Sequence, residues 1–136
     1  MSNILIIEDH RDNREITELI LAGAGYTVTS AADAVRGLYL AARDQPDLIL
    51  MDLALPRLDG WEATRRLKAY PLTRHIPVVA VTARVRQDHL ARAEAVGCVA
   101  VVTKPFKIDV LLSTIAGVLG QSPSPRLRTV GTDLEA

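Results

Sequence analysis

Along the chain, short apolar runs alternate with longer segments in which apolar residues return every third or fourth position. The runs occupy 4–7, 26–29, 48–51, 76–81 and 99–102. The first, third and fourth are apolar without alternation. That pattern suits strands covered on both faces, as in a parallel sheet flanked by helices. The second alternates and carries Thr27 and Thr29, which places it nearer an edge. Between the runs, helical stripes are predicted: Ile16, Leu19, Ile20 and Gly23; Ala34, Leu38, Ala41 and Ala42; Ala63, Leu67 and Tyr70; Leu90, Ala93 and Gly97; Ile108, Leu111, Leu112 and Ile115. Asp12 with Glu15, and Asp59 with Glu62, have the spacing of capping boxes with an aspartate as cap. Gly97 is a helix stop.

Strand and helix thus alternate five times, (βα)5. Alternation calls for a parallel sheet with right-handed crossovers and helices on both faces. An eight-unit barrel takes about 200–250 residues, more than these 136. The fold class expected is therefore α/β, a doubly wound five-stranded parallel sheet in the order 2-1-3-4-5. The folded unit is expected over 1–119. Residues 120–136, with Ser122-Pro123-Ser124-Pro125 and no sustained apolar period, read as a flexible C-terminal tail.

Composition narrows the function. Sixteen Lys and Arg balance sixteen Asp and Glu, which disfavours a nucleic-acid backbone as partner. Cys98 is the one cysteine, so an internal disulfide and a cysteine-rich metal site are out. No apolar run approaches the ~20 residues of a membrane span, and residues 1–9 lack the pattern of a signal peptide. The expected location is cytoplasmic.

The candidate chemistry sits where the strands end. The first run leads into Glu8-Asp9, the third into Asp52, the fourth into Thr82 and the fifth into Thr103-Lys104-Pro105. In an open parallel sheet, ligands bind beyond the carboxyl ends of the strands, where the winding reverses. In the 2-1-3-4-5 order, that point lies between the first and third strands. Glu8, Asp9 and Asp52 should meet there, with Thr82 and Lys104 beside them. Two such charges ~5 Å apart at an effective dielectric of ~20 repel by about 3 kcal/mol, so a cation is needed. Hard oxygen donors suit Mg²⁺. With a lysine and a hydroxyl, the set has the parts for phosphoryl transfer to a carboxylate. Each residue alone also has a structural role open to it, as a turn former, helix-entry charge, strand-end hydroxyl or surface lysine.

The stretches Ile4-Leu5-Ile6-Ile7-Glu8-Asp9, Pro46-Asp47-Leu48-Ile49-Leu50-Met51-Asp52-Leu53, Pro56, Asp59-Gly60, Ile76-Pro77-Val78-Val79-Ala80-Val81-Thr82-Ala83 and Lys104-Pro105-Phe106 together resemble the receiver domain of response regulators in bacterial two-component signalling, from about residue 3 to 119. The resemblance implies a flavodoxin-like fold. It implies a cytoplasmic phosphoprotein of a phosphorelay that is regulatory rather than an enzyme on other substrates, catalysing only its own Mg²⁺-dependent phosphorylation and dephosphorylation. Asp52 resembles the phosphoacceptor. Glu8, Asp9, Asp52 and the backbone carbonyl of Ala54 resemble the Mg²⁺ ligands. Thr82 resembles the switch hydroxyl and Lys104 the lysine that pairs with phosphoryl oxygen. Pro105 resembles a proline often preceded by a cis bond. The implied donor is a phosphohistidine on a histidine kinase or phosphotransfer protein. The implied output is a downstream protein target, bound through the face of the fourth helix, fifth strand and fifth helix by a monomer or weak dimer, without nucleic acid or membrane.

Two positions depart from the family. The acidic pair is Glu8-Asp9 rather than two aspartates, and Val101 stands where a Tyr or Phe often acts as a rotameric switch. Arg84 is expected near the site entrance, and Arg84, Arg86, His89 and Arg92 form a basic stretch on the expected output face. Trp61 reads as packing, Cys98 as apolar filler, His75 as loop, and His10 as an unpaired histidine with no zinc role. Gly23-Ala24-Gly25 is not a dinucleotide fingerprint. The competing readings are a phosphorylation-independent scaffold with a receiver fold, kept open by Val101, and an aspartyl phosphatase, disfavoured by Arg11 where a second aspartate is expected.

Overall fold

The computed structural model describes residues 2–83, 87–120 and 128–130. Its elements are β1 (Asn3–Ile7), α1 (Arg11–Gly23), β2 (Thr27–Ala31), α2 (Ala34–Asp44), β3 (Leu48–Asp52), α3 (Gly60–Ala69), β4 (Val78–Thr82), α4 (Gln87–Val96), β5 (Ala100–Thr103), α5 (Ile108–Leu119) and β6 (Arg128–Val130). All strand pairs are parallel, in the order β2-β1-β3-β4-β5-β6. The expected 2-1-3-4-5 order is present, with one short strand added outside β5. No described helix is long and apolar enough to cross a membrane.

The unbroken apolar runs follow from burial on two sides. Leu5, Ile7, Ile49, Met51, Val78 and Ala80 face α2, α3 and α4; Ile4, Ile6, Leu48, Leu50, Val79 and Val81 face α1 and α5. Successive side chains of a strand point to opposite faces, so a strand with both faces covered needs an apolar residue at every position. β2 lies at an edge and alternates between exposed and partly buried positions.

The helical stripes need one correction. Ile16 and Leu19 of α1 are 54% and 74% exposed, and the buried positions are Thr17 and Leu21. The helix presents a face rotated by one position. Thr17 tolerates burial because its hydroxyl donates to the Asn13 carbonyl at 2.8 Å. Asp12 does not cap this helix. His10 holds the cap position, and Asp12 falls inside the first turn. Asp59 does cap α3, accepting from the Glu62 N–H at 2.9 Å. Asp33, which the sequence pattern did not single out, caps α2 in the same way through the Arg36 N–H. At the end of α4, Gly97 has φ of 105°, a left-handed geometry that glycine adopts without steric cost.

The tail is the second difference. Arg128–Val130 pairs with Ala100, Val101 and Val102 of β5; the neighbouring 121–127 and 131–136 lie outside the described residues. The apolar pattern carries no sign of this strand, and its placement is topologically unusual. The path from β1 to β2 crosses on the α1 face, while the paths from β2 through β5 run the opposite way across the sheet on the other face. These share one hand, the right-handed one favoured by strand twist. From β5 to β6 the chain continues in the latter direction but crosses with α5 on the α1 face, which reverses the hand. A three-residue pairing reached this way adds little stability. Truncation after Gly120 is expected to shift Tm by less than about 5 °C, on the order of 1 kcal/mol, measured by circular dichroism. A larger loss would make β6 part of the folding unit.

Candidate functional site

The sheet's carboxyl edge gathers the predicted residues. Parallel register sets Ile7 beside Met51, Asp52 beside Val81, and Thr82 beside Thr103. The residues that follow these strands therefore emerge together. Glu8 continues β1, its N–H donating to the Ala31 carbonyl at 3.1 Å, and Lys104 is tied to β4 by its N–H on the Thr82 carbonyl at 2.8 Å. Glu8 and Asp52 are buried, at 5% and 6% exposure.

Lys104 Nζ lies 2.6 Å from Glu8 Oε1 and 3.5 Å from Asp52 Oδ2. Burial pulls this ammonium toward its neutral form, but the hydrogen bond to Glu8 and the charges of Asp52 and Glu8 outweigh it, so its pKa is raised above the ordinary lysine value. The other Asp52 oxygen, Oδ1, accepts from the Ala54 N–H at 2.9 Å. Glu8 Oε2 accepts from the His10 N–H at 3.1 Å. Arg14 Nη1 donates to the Glu8 carbonyl at 3.0 Å, a contact with no sequence signal beyond helical proximity.

Asp9 is the informative residue for a metal. Its Oδ1 is buried without a hydrogen bond, with His10 Nδ1 standing 3.6 Å away. A carboxylate oxygen in that state is costly unless a cation or ordered water reaches it. Ligand atoms of Glu8, Asp9 and His10 all lie within 4.8 Å of one another. The donor set is chiefly hard oxygen, and its histidine is 74% exposed at the side chain. These residues fit an Mg²⁺-type ion better than zinc.

Thr82 ends β4 partly buried, and the Lys104–Pro105 peptide is cis as expected. Val101 is 2% exposed and packs in the core on the α2–α4 side. Arg84 and Arg86 lie outside the described residues. Trp61 packs partly buried against the core, with the Arg92 guanidinium 4.4 Å from its ring centroid and the His89 ring at 6.0 Å. Cys98 is buried, and that burial pushes its thiol up to about 11.

Gly60 shows why Asp59-Gly60 follows the third strand at this distance. A β-carbon there would come within 2.6 Å of the Leu53 Cα and collide with the Asp52 carbonyl. The start of α3 can thus press directly on the backbone that presents Asp52. A cleft of about 350 Å³ opens beside the site, lined by Glu8, Asp52, Lys104, Phe106, Asn13 and Ile16 among others. Ile16 lines this cleft rather than the core.

Comparison with known proteins identifies the family and the fold. Residues 4–116 match the response regulator receiver domain family. The chain is 35% identical over 120 residues to the polar-differentiation response regulator DivK of Brucella anthropi, covering 88% of this chain and 98% of that one. Among solved structures, the receiver domain of the Pseudomonas aeruginosa sensor histidine kinase PA1611, with a magnesium ion coordinated in its active-site cleft, superposes with a TM-score of 0.82 at 35% identity, covering 88% of this chain and 98% of that one. Vibrio cholerae chemotaxis protein CheY4 gives 0.83 at 27% identity, covering 87% and 98%.

Proposed function

Since the chain belongs to the response-regulator receiver family of two-component signalling, we propose that it is a phosphorylation-activated switch whose acceptor is Asp52. The observation that carries this reading is the division of labour between the two Asp52 oxygens: Oδ1 is held by the Ala54 N–H, while Oδ2 faces Lys104. Oδ2 is then the nucleophile. It forms the new P–O bond as the P–N bond of a phosphohistidine donor breaks, and the bonding pair leaves with the imidazole nitrogen. The phosphohistidine belongs to a histidine kinase or a phosphotransfer protein.

Lys104 sits where it can neutralise phosphoryl oxygen, and the Thr82 hydroxyl can donate to the same group. Glu8, Asp9 and Asp52, with the Ala54 carbonyl, would hold Mg²⁺, which when bound supplies positive charge beside the transferred group. Engaging Thr82 and Lys104 then draws on β4 and β5, and the α4–β5–α5 face changes its affinity for a downstream protein. Val101 is packed among core side chains and has no ring to swing, so the change has to pass through the backbone after Thr82.

Incubation with acetyl phosphate and Mg²⁺, followed by amide NMR, tests the reading. Shifts are expected through α4, β5 and α5. Shifts confined to Glu8, Asp9 and the Asp52–Ala54 turn would rule out that output face. No modification at all would favour the phosphorylation-independent scaffold.

A further inference from the structure

The surface of α2 and the end of α3 plays no part in the switch. Val35 and Tyr39, one helical turn apart, are 67% and 54% exposed, and Tyr70 is 50% exposed. Val35 and Tyr39 lie opposite the residues with which α2 packs on the sheet, Ala34, Gly37, Leu40 and Ala41. Two clefts meet at Tyr39. One, of about 460 Å³, runs between Val35, Arg36 and Tyr39 and the Pro56–Arg57–Leu58 segment of the β3–α3 loop. The other, of about 310 Å³, lies between Tyr39 and Tyr70, with Arg66 at its edge.

The Tyr39 ring is held in place. The Arg36 and Arg43 guanidinium carbons stand 5.2 and 5.5 Å from its centroid, within the range of cation–π contact. A fixed aromatic flanked by arginines has the composition of a binding hot spot and loses little entropy when covered. Arg57 adopts φ of 62°, a left-handed conformation that costs a non-glycine residue about 1–2 kcal/mol. That cost is borne at the rim of the first cleft.

Charge selects the occupant. Asp44 is paired with Arg43, and Glu62 with Arg65 and Arg66; Asp33, which also lines the first cleft, caps α2 through the Arg36 N–H and keeps its charge. Among the described residues, no carboxylate lies within ion-pair distance of Arg36 or Arg57. The rim of the first cleft therefore carries a net positive charge, Arg36 and Arg57 against Asp33, over an apolar floor. A second copy of the chain fits poorly, because a symmetric contact would set these arginines against their own counterparts. Nucleic acid would leave the apolar floor unused.

We propose that the α2–α3 face docks an acidic segment of a partner protein, with an aliphatic side chain in the clefts beside Tyr39 and carboxylates against Arg36 and Arg57. α2 packs over β1 and β2, across the sheet from β5, so this site and the α4–β5–α5 face can be occupied together. The inference stands apart from phosphorylation and is tested without it. The full chain is titrated with a short capped peptide alternating glutamate and leucine, and amide shifts are followed by NMR. Shifts are expected along α2 and at Arg57, with affinity falling about tenfold in Tyr39→Ser and in Arg36→Glu and kept in Tyr39→Phe. Each variant should melt like the wild type. The proposal is overturned if shifts appear only elsewhere, if a glutamine–leucine peptide binds equally well, if Arg36→Glu leaves the affinity unchanged, or if sedimentation shows self-association that Tyr39→Ser abolishes.

Discussion

The Asp52→Asn chain is expected to keep its unmodified mass when incubated with acetyl phosphate and Mg²⁺, while the wild type gains one phosphoryl group. An asparagine oxygen can still accept the Ala54 N–H that now binds Oδ1 at 2.9 Å, so the local turn is preserved. The nucleophile is not, because the amide nitrogen that takes the place of Oδ2 has its lone pair delocalised into the carbonyl. Uptake should fall by more than about 10³-fold, as for removal of other catalytic nucleophiles. The fold should change little. Neutralising Asp52 removes the weaker of the two Lys104 contacts, at 3.5 Å, and leaves Lys104 on Glu8 at 2.6 Å. Tm of the variant is expected to stay close to that of the wild type, which separates lost chemistry from lost structure. Uptake by the asparagine variant at the wild-type rate would move the acceptor to another residue.

The Lys104→Met chain is expected to lose about 1–3 kcal/mol of stability. Removing one partner of a buried ion pair strands the other charge, which typically costs 3–5 kcal/mol. Here the Lys104 side chain is 24% exposed, so part of the interaction is already screened and the lower figure applies. Glu8, with its side chain 7% exposed, keeps the His10 N–H as donor but loses its cation. Two further measurements identify the cause. The double variant Glu8→Gln/Lys104→Met should recover more than half of the loss, since neither buried charge is then left alone. Mg²⁺ should raise Tm of Lys104→Met more than that of the wild type, because ligand binding to the folded state adds to stability and the site no longer carries a competing ammonium. A neutral effect of the single change, with no coupling in the double-variant cycle, would mean that this ion pair contributes nothing to the fold.

Much of the site was legible in the sequence because a parallel sheet converts strand order into spatial order. Once the runs ending at Glu8, Asp52, Thr82 and Lys104 are read as strands, their ends must share one edge. Lys104 and Glu8 are 96 positions apart in the chain, yet their meeting needed only the alternation of strand and helix. The same reasoning did not reach Arg14 or the exposure of Ile16. Both depend on the rotation of α1 about its axis, and a helix with apolar residues at 16, 19, 20 and 21 admits more than one inward face.

The chain's own pattern therefore determined the architecture and the identity of the acidic cluster, since period and burial are local properties that each segment carries within itself. Three-dimensional packing alone decided which face α1 shows, which Asp52 oxygen the Ala54 N–H holds and which faces Lys104, why position 60 admits no side chain, and where Arg128–Val130 comes to rest. Those outcomes turn on distances between segments remote in sequence, where displacements of an ångström or two separate a hydrogen bond from a gap.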